Sequence, residues 1–163
     1  HSGFPNGFTP LKKATEQYKS GLAVWLSPFG GYSTAKTERL KYGREQGFEI
    51  NANGFSMAGP RYYERFKQIC VEMIKSYGVN HFKFDGLAAG AKATGGMIRD
   101  GDAMLTLIRD LRAVKPDLFV NQTTGTWPSP FWLHHVDSTW RGGGDNGFFG
   151  ICFLFRRPWM RGP

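Results

Sequence analysis

The sequence predicts an α/β protein built on a parallel sheet, and three observations carry that prediction. Short strand-like runs recur at Leu22-Ala-Val-Trp-Leu26, His81-Phe-Lys-Phe84 and Leu118-Phe-Val120. Stretches with helical spacing of apolar residues lie between them, and glycine or proline marks most of the boundaries. Strands alternating with helices of this length give right-handed βαβ units, whose strands run parallel. The chain has 163 residues, 40% of them hydrophobic, which is enough for one core and one domain.

The elements follow in order. Thr9 is placed to cap a first helix, Pro10 suits its first turn and Gly21 ends the segment, with Leu11, Ala14 and Tyr18 on one face. Leu22–Leu26 is a continuous apolar run and is expected to be a strand buried on both faces. A polar helix is expected over 35–46, ended by Gly47 and followed by a short Phe48-Glu-Ile50 segment. Pro60 opens the strongest helix. Tyr63, Phe66, Cys70, Met73, Ile74 and Tyr77 recur at helical spacing, and Gly78 closes it. That spacing makes Cys70 a buried, inert thiol. The strand His81–Phe84 is followed by a glycine-rich loop to about Asp100. Met104, Leu107, Ile108 and Leu111 mark a further amphipathic helix, closed before Pro116. Leu118–Val120 and Val136–Trp140 are the remaining strands.

Composition excludes several classes. No run of about 18 apolar residues is present, which rules out a membrane-spanning helix. Two cysteines, Cys70 and Cys152, form neither a disulfide scaffold nor a metal framework, and leave the compartment open. The chain starts at His1 without a basic and apolar leader, and is expected to be a processed or excised piece. Lys and Arg outnumber Asp and Glu by 21 to 13, a net charge of +8, but the charges are scattered, with one small cluster at Arg156, Arg157 and Arg161. No nucleic-acid-binding signature accompanies them, so solvated helix faces and a basic tail account for the charge. His134-His135-Val136-Asp137 is rich in ligand types but lacks metal-ligand spacing, and no metal is expected.

In parallel α/β folds the functional groups gather at the carboxyl ends of strands. Those ends read Trp25 with Ser27-Pro28-Phe29-Gly30-Gly31-Tyr32; Lys83-Phe84-Asp85-Gly86; Asn121 to Trp127; and Asp137 to Asn146. Aromatic faces beside Asp, Asn and Arg suit a sugar, whose CH face stacks on rings while polar groups read its hydroxyls. Asp85 follows its strand directly. An isolated Asp-Gly pair is most often a turn, but Lys83 lies on the same strand face, and a buried Lys beside a buried Asp is costly unless it serves a purpose. Asp145 follows three glycines after Arg141, and those glycines let backbone approach a ligand closely. Asp137, earlier on its strand, reads as a structural partner. Asn121-Gln-Thr123 is a formal glycosylation sequon, but its place at a buried strand end argues against modification. Two carboxylates facing a sugar cleft equip a glycosidase, retaining at a separation of about 5–5.5 Å and inverting at about 6.5–9.5 Å.

The order Trp25, then Phe82-Lys83-Phe84-Asp85-Gly86, then Trp140-Arg141 and Asp145, resembles the melibiase-type α-galactosidases of glycoside hydrolase clan D. The resemblance covers about residues 4 to 150. It implies a (β/α)8 barrel of TIM type, of which only about the third to sixth βα units are present. A whole barrel needs about 250 residues and rarely fewer than about 200. It also implies a retaining, exo-acting α-glycosidase that needs no cofactor. By position, Asp85 is the implied nucleophile and Asp145 the acid/base. Lys83 and Arg141 are implied to hold sugar hydroxyls, Trp25 to line the pocket, and Thr124 and Trp127 to touch the sugar. The whole chain is then a partial-barrel domain with an atypical basic tail at about 151–163. The expected partner is a carbohydrate substrate, not nucleic acid or membrane. Exposed barrel edges invite a homo-oligomer, and the enzyme is secreted or periplasmic if its parent acts on external glycans. The alternatives are a non-catalytic or truncated barrel fragment that binds sugar weakly, and a basic module for acidic polymers.

Overall fold

The structure is a computed structural model, and it describes residues 4–86, 95–123 and 130–140. The elements run α1 (Thr9–Gln17), β1 (Leu22–Leu26), α2 (Ser33–Glu45), β2 (Ile50–Asn51), β3 (Gly54–Phe55), α3 (Pro60–Tyr77), β4 (Val79–Phe84), α4 (Gly95–Val114), β5 (Phe119–Thr123), a 3-10 turn (Pro130–His134) and β6 (Ser138–Trp140). Four strands make one sheet in the order β1-β4-β5-β6, and every neighbouring pair is parallel. The α/β class is as the sequence predicts, and four successive parallel strands are the number expected of the third to sixth units of a (β/α)8 barrel. β2 and β3 form a separate antiparallel hairpin.

Helices α3 and α4 cover one face of the sheet. Tyr62, Phe66, Cys70 and Ile74 are the buried stripe of α3, and Met104, Leu107, Ile108 and Leu111 that of α4. Both stripes pack on Val79, Phe82 and Phe84 of β4 and Val120 of β5. Full burial of such side chains stabilises the fold by about 1.5–3 kcal/mol each. Gly78 ends α3 in the left-handed region at φ 68°, with its N–H returned to Ile74 and Met73 carbonyls. Cys70 is buried and free, and burial pushes its thiol up to about 12, which keeps it an inert core group.

Several expectations need correction. Thr9 does not cap α1: the cap position is Phe8, and no side chain bonds the helix start. Leu11, Ala14 and Tyr18 face outward, because α1 is anchored by Phe8 against Tyr77, with ring centroids 5.5 Å apart, rather than by that stripe. β1 is not buried on both faces. Its residues alternate from buried Leu22 to Trp25 at 64% exposure, since among the described residues it pairs with β4 alone and nothing covers its second face. Phe48–Ile50 leads into the β2–β3 hairpin. The glycine-rich loop ends earlier than Asp100, since α4 starts at Gly95. β5 continues to Thr123, β6 starts only at Ser138, and His134 sits in a 3-10 turn.

Candidate active site

Side chains alternate across a strand, so each strand gives one set of residues to the helices and the other to the opposite face. Leu22, Val24, Leu26, Phe82, Phe84, Val120 and Gln122 take the helix side. The opposite face carries Ala23 and Trp25, His81 and Lys83, and Phe119, Asn121 and Thr123. The parallel register aligns these in rows. Trp25, Lys83, Asn121 and Ser138 are direct neighbours across all four strands, and Ala23, His81 and Phe119 form the row behind. Neighbouring strands lie about 4.8 Å apart, which brings such rows into side-chain contact. The Lys83 ammonium lies 4.2 Å from the centre of the Trp25 ring. Asn121 donates to Ser138 Oγ at 2.7 Å.

Asp85 stands one residue beyond β4, at the carboxyl end of the sheet. Its N–H donates to Leu26 O at 2.9 Å, which continues the β1–β4 ladder by one step. The residue is only 8% exposed. Its Oδ2 accepts a hydrogen bond from Tyr32 Oη at 2.8 Å. Burial, then the hydrogen bond to Asp85 and the charge of Asp85, push the Tyr32 phenol up to about 12, so it stays a donor.

The loop Ser27–Tyr32 brings that phenol back over the strand end. Ser27 Oγ accepts the Gly31 N–H at 3.1 Å, and Arg39 Nη1 donates to Gly30 O at 3.0 Å. Gly31 sits at φ 89°, and a Cβ there would lie 2.5 Å from Arg39 Nη1, so only glycine fits this turn without displacement. Beside it opens a cleft of about 660 Å³, with Trp25, Ser27, Tyr32, Arg39 and Asp85 among its walls.

Of the residues singled out in the sequence, Trp25 and Lys83 meet across β1 and β4, and Asp85 lines one cleft with Trp25. Thr124, Trp127, Arg141 and Asp145 lie outside the described residues, as does the 151–163 tail. Asp137 is structural. Its carboxylate pairs with Arg112 at 2.7 Å and accepts the Val120 N–H at 2.7 Å. Among the described residues no cluster of His, Cys, Asp and Glu could hold a metal ion. No described helix is long and apolar enough to cross a membrane. Sequence reasoning passed over Tyr32 and left Asn121 without a role. The signal for Tyr32 is faint, an aromatic after two glycines, because its partner is 53 residues away. Asp85 is thus a buried carboxylate with one oxygen held by Tyr32, and it shares the walls of one cleft with the exposed Trp25 side chain.

Comparison with solved structures agrees with this fold. The α-galactosidase from Lactobacillus brevis matches 96% of this chain and 24% of its own, with a TM-score of 0.65 at 13% identity. The GH36 α-galactosidase AgaA from Geobacillus stearothermophilus matches 87% of this chain and 22% of its own, at 0.58 and 13%. The glycoside hydrolase domain of PelA from Pseudomonas aeruginosa matches 91% and 68%, at 0.56 and 14%. The shared property is the fold of glycoside hydrolase domains, and the chain spans about a quarter of the α-galactosidases it matches. No family model matches the sequence, and no curated protein matches it.

Proposed function

We propose that the chain carries part of the catalytic site of a retaining glycoside hydrolase resembling α-galactosidases, acting on terminal α-linked galactose-type sugars. The observation that carries this reading is Asp85. It is a buried carboxylate at the carboxyl end of β4, held at Oδ2 by Tyr32 and lining one cleft with Trp25. The Geobacillus α-galactosidase is known in complex with raffinose and with stachyose, which fits a carbohydrate substrate here.

In this reading the Asp85 carboxylate attacks the anomeric carbon while Asp145 protonates the departing oxygen. Asp145 then takes a proton from water, which displaces Asp85 from the sugar, so configuration is retained. Trp25 offers its ring to the apolar sugar face. Lys83 and Arg141 hold hydroxyls, and Thr124 and Trp127 complete the wall. The chemistry needs no cofactor.

The test is substitution. Asp85→Asn is expected to lower turnover of an aryl α-galactoside by at least about a thousandfold, and a mechanism-based 2-fluoro sugar should label Asp85 in a peptide map. Turnover left intact in Asp85→Asn removes the assignment. Asp145→Ala activity should return with added azide, which attacks the glycosyl-enzyme without needing a base.

A second reading, a truncated barrel that binds sugar weakly without turnover, is favoured by one observation. Among the described residues β1 offers an open edge, and Trp25 on it is 64% exposed. It predicts a homo-oligomer that covers this edge, seen in light scattering as a mass well above 18.3 kDa, with no turnover.

A further inference from the structure

Tyr32 is 63% exposed, yet its hydroxyl reaches inward to a carboxylate that is only 8% exposed. Its position is fixed from several sides. The Ser27–Gly31 turn and the Arg39 bond to Gly30 O set the loop, and the next residue, Ser33, is held at φ 52°, a left-handed conformation that few non-glycine residues adopt. Gly86 follows Asp85 at φ 78°, a left-handed conformation that favours glycine. A donor held on one oxygen makes the two oxygens of Asp85 unequal: among the described residues the side-chain contact is Tyr32 on Oδ2, and Oδ1 is the oxygen assigned to react.

We infer that Tyr32 is a positioning residue that acts mainly in the second half of the double displacement, by stabilising the Asp85 carboxylate as it leaves the sugar. This rests on the reading of Asp85 as the nucleophile. In the first step Oδ1 forms a bond to the anomeric carbon, the bond from that carbon to the leaving oxygen breaks, and Asp145 gives that oxygen its proton. Oδ2 becomes the carbonyl oxygen of the glycosyl ester and loses its charge. In the second step water attacks the same carbon, Asp145 takes the water's proton, and the electron pair of the breaking bond returns to Asp85. Negative charge then reappears on a carboxylate whose Oδ2 already faces a phenol. Tyr32 keeps its own proton throughout, because burial and the Asp85 carboxylate hold the phenol up at about 12. A hydrogen bond to a charged acceptor is about twice as strong as one to a neutral acceptor. The contact therefore stabilises the free carboxylate more than the ester. Removing it slows release of the sugar more than formation of the intermediate.

The experiment is the Tyr32→Phe variant of the full chain with 2,4-dinitrophenyl α-galactoside, whose good leaving group makes the second step limiting. The expected result is a kcat about a hundredfold lower, of the size seen for loss of one charge-stabilising donor. KM should fall with it, kcat/KM should stay within about tenfold, and a burst of dinitrophenol should match the enzyme concentration. A lower kcat/KM with unchanged KM and no burst would overturn the inference while leaving Asp85 in place. Full turnover in Asp85→Asn would instead remove the underlying reading. An activity-free arm uses the phenolate absorbance of wild type minus Tyr32→Phe. Tyr32 should titrate near 12 in the wild type and lower in Asp85→Asn, where the rise due to burial remains and the part due to Asp85 is lost. Titration near 10 in the wild type would mean the contact is not made, and the inference falls.

Discussion

Asp100 shows at the residue scale what an ion needs once it is taken wholly out of water. It is fully buried in α4, and three donors reach it: Asn51 Nδ2 at 2.6 Å, Ser56 Oγ at 2.8 Å and the Ala58 N–H at 2.9 Å. These contacts tie the β2–β3 hairpin and the start of α3 to α4. Asp100→Ala leaves three part-buried donors without their acceptor, and the expected cost is about 1–3 kcal/mol. It should appear as a lower urea midpoint at an unchanged slope. A midpoint within error of wild type would show that the hairpin does not depend on this carboxylate. The two aspartates also show what the sequence could tell. Asp85 was legible because it ends an apolar strand with Lys83 two positions before it. Asp100 read only as the end of a loop, because its partners lie 42 to 49 residues away and no local pattern announces them.

The same contrast holds for whole elements, and α3 is the clearest case. Pro60, the apolar stripe and Gly78 locate it to the residue, because each acts locally on the backbone. Its N-terminal cap is not local. Gly59 offers no side chain, and the job falls to Glu49, whose Oε2 accepts the Tyr62 N–H at 3.0 Å and whose Oε1 accepts the Arg61 N–H at 3.3 Å. Burial raises the Glu49 carboxyl, but the Tyr62, Glu49 and Arg61 N–H groups, with the Arg61 charge, outweigh it and hold the group below its ordinary 4.5. A carboxyl lowered by folding stabilises the fold above 4.5, and that contribution is lost as pH falls through its folded value. Glu49→Ala is therefore expected to cost about 1 kcal/mol at neutral pH, as other caps do. The difference between variant and wild type should shrink on acidification below 4.5, read by thermal melts at pH 7, 5 and 3. A difference independent of pH would assign the loss to packing. The β2–β3 hairpin escaped the sequence for another reason: two-residue strands carry no periodicity. β1 was misjudged because Leu-Ala-Val-Trp-Leu says nothing about whether a second layer exists to cover it.

Across the whole molecule, ionisable hydroxyls and a thiol sit at the joints between layers, and this links folding to alkaline pH. Tyr62 donates to Pro28 O at 2.5 Å from within the core. Tyr63 bonds Asp110 at 2.9 Å across α3 and α4, Tyr32 bonds Asp85 between loop and sheet, and Cys70 is sealed under α3. Burial is the first cause of the upward shift in all four, with the Asp110 and Asp85 contacts adding to it for Tyr63 and Tyr32. The sign follows. In the unfolded chain the thiol loses its proton near 9 and the phenols near 10, while the native chain keeps all four protons beyond that. Above about 9 the native state binds more protons, so stability falls with rising pH. The contribution is complete below 9 and drains as pH climbs toward about 12. Urea midpoints measured from pH 8 to 11 should be level at first and then decline with growing slope. Tyr62→Phe should start from a lower midpoint, having lost the bond to Pro28 O, and decline less steeply because one titrating group is gone. Parallel declines in variant and wild type would mean that Tyr62 titrates normally, and that the layer contact it makes is open to water rather than sealed.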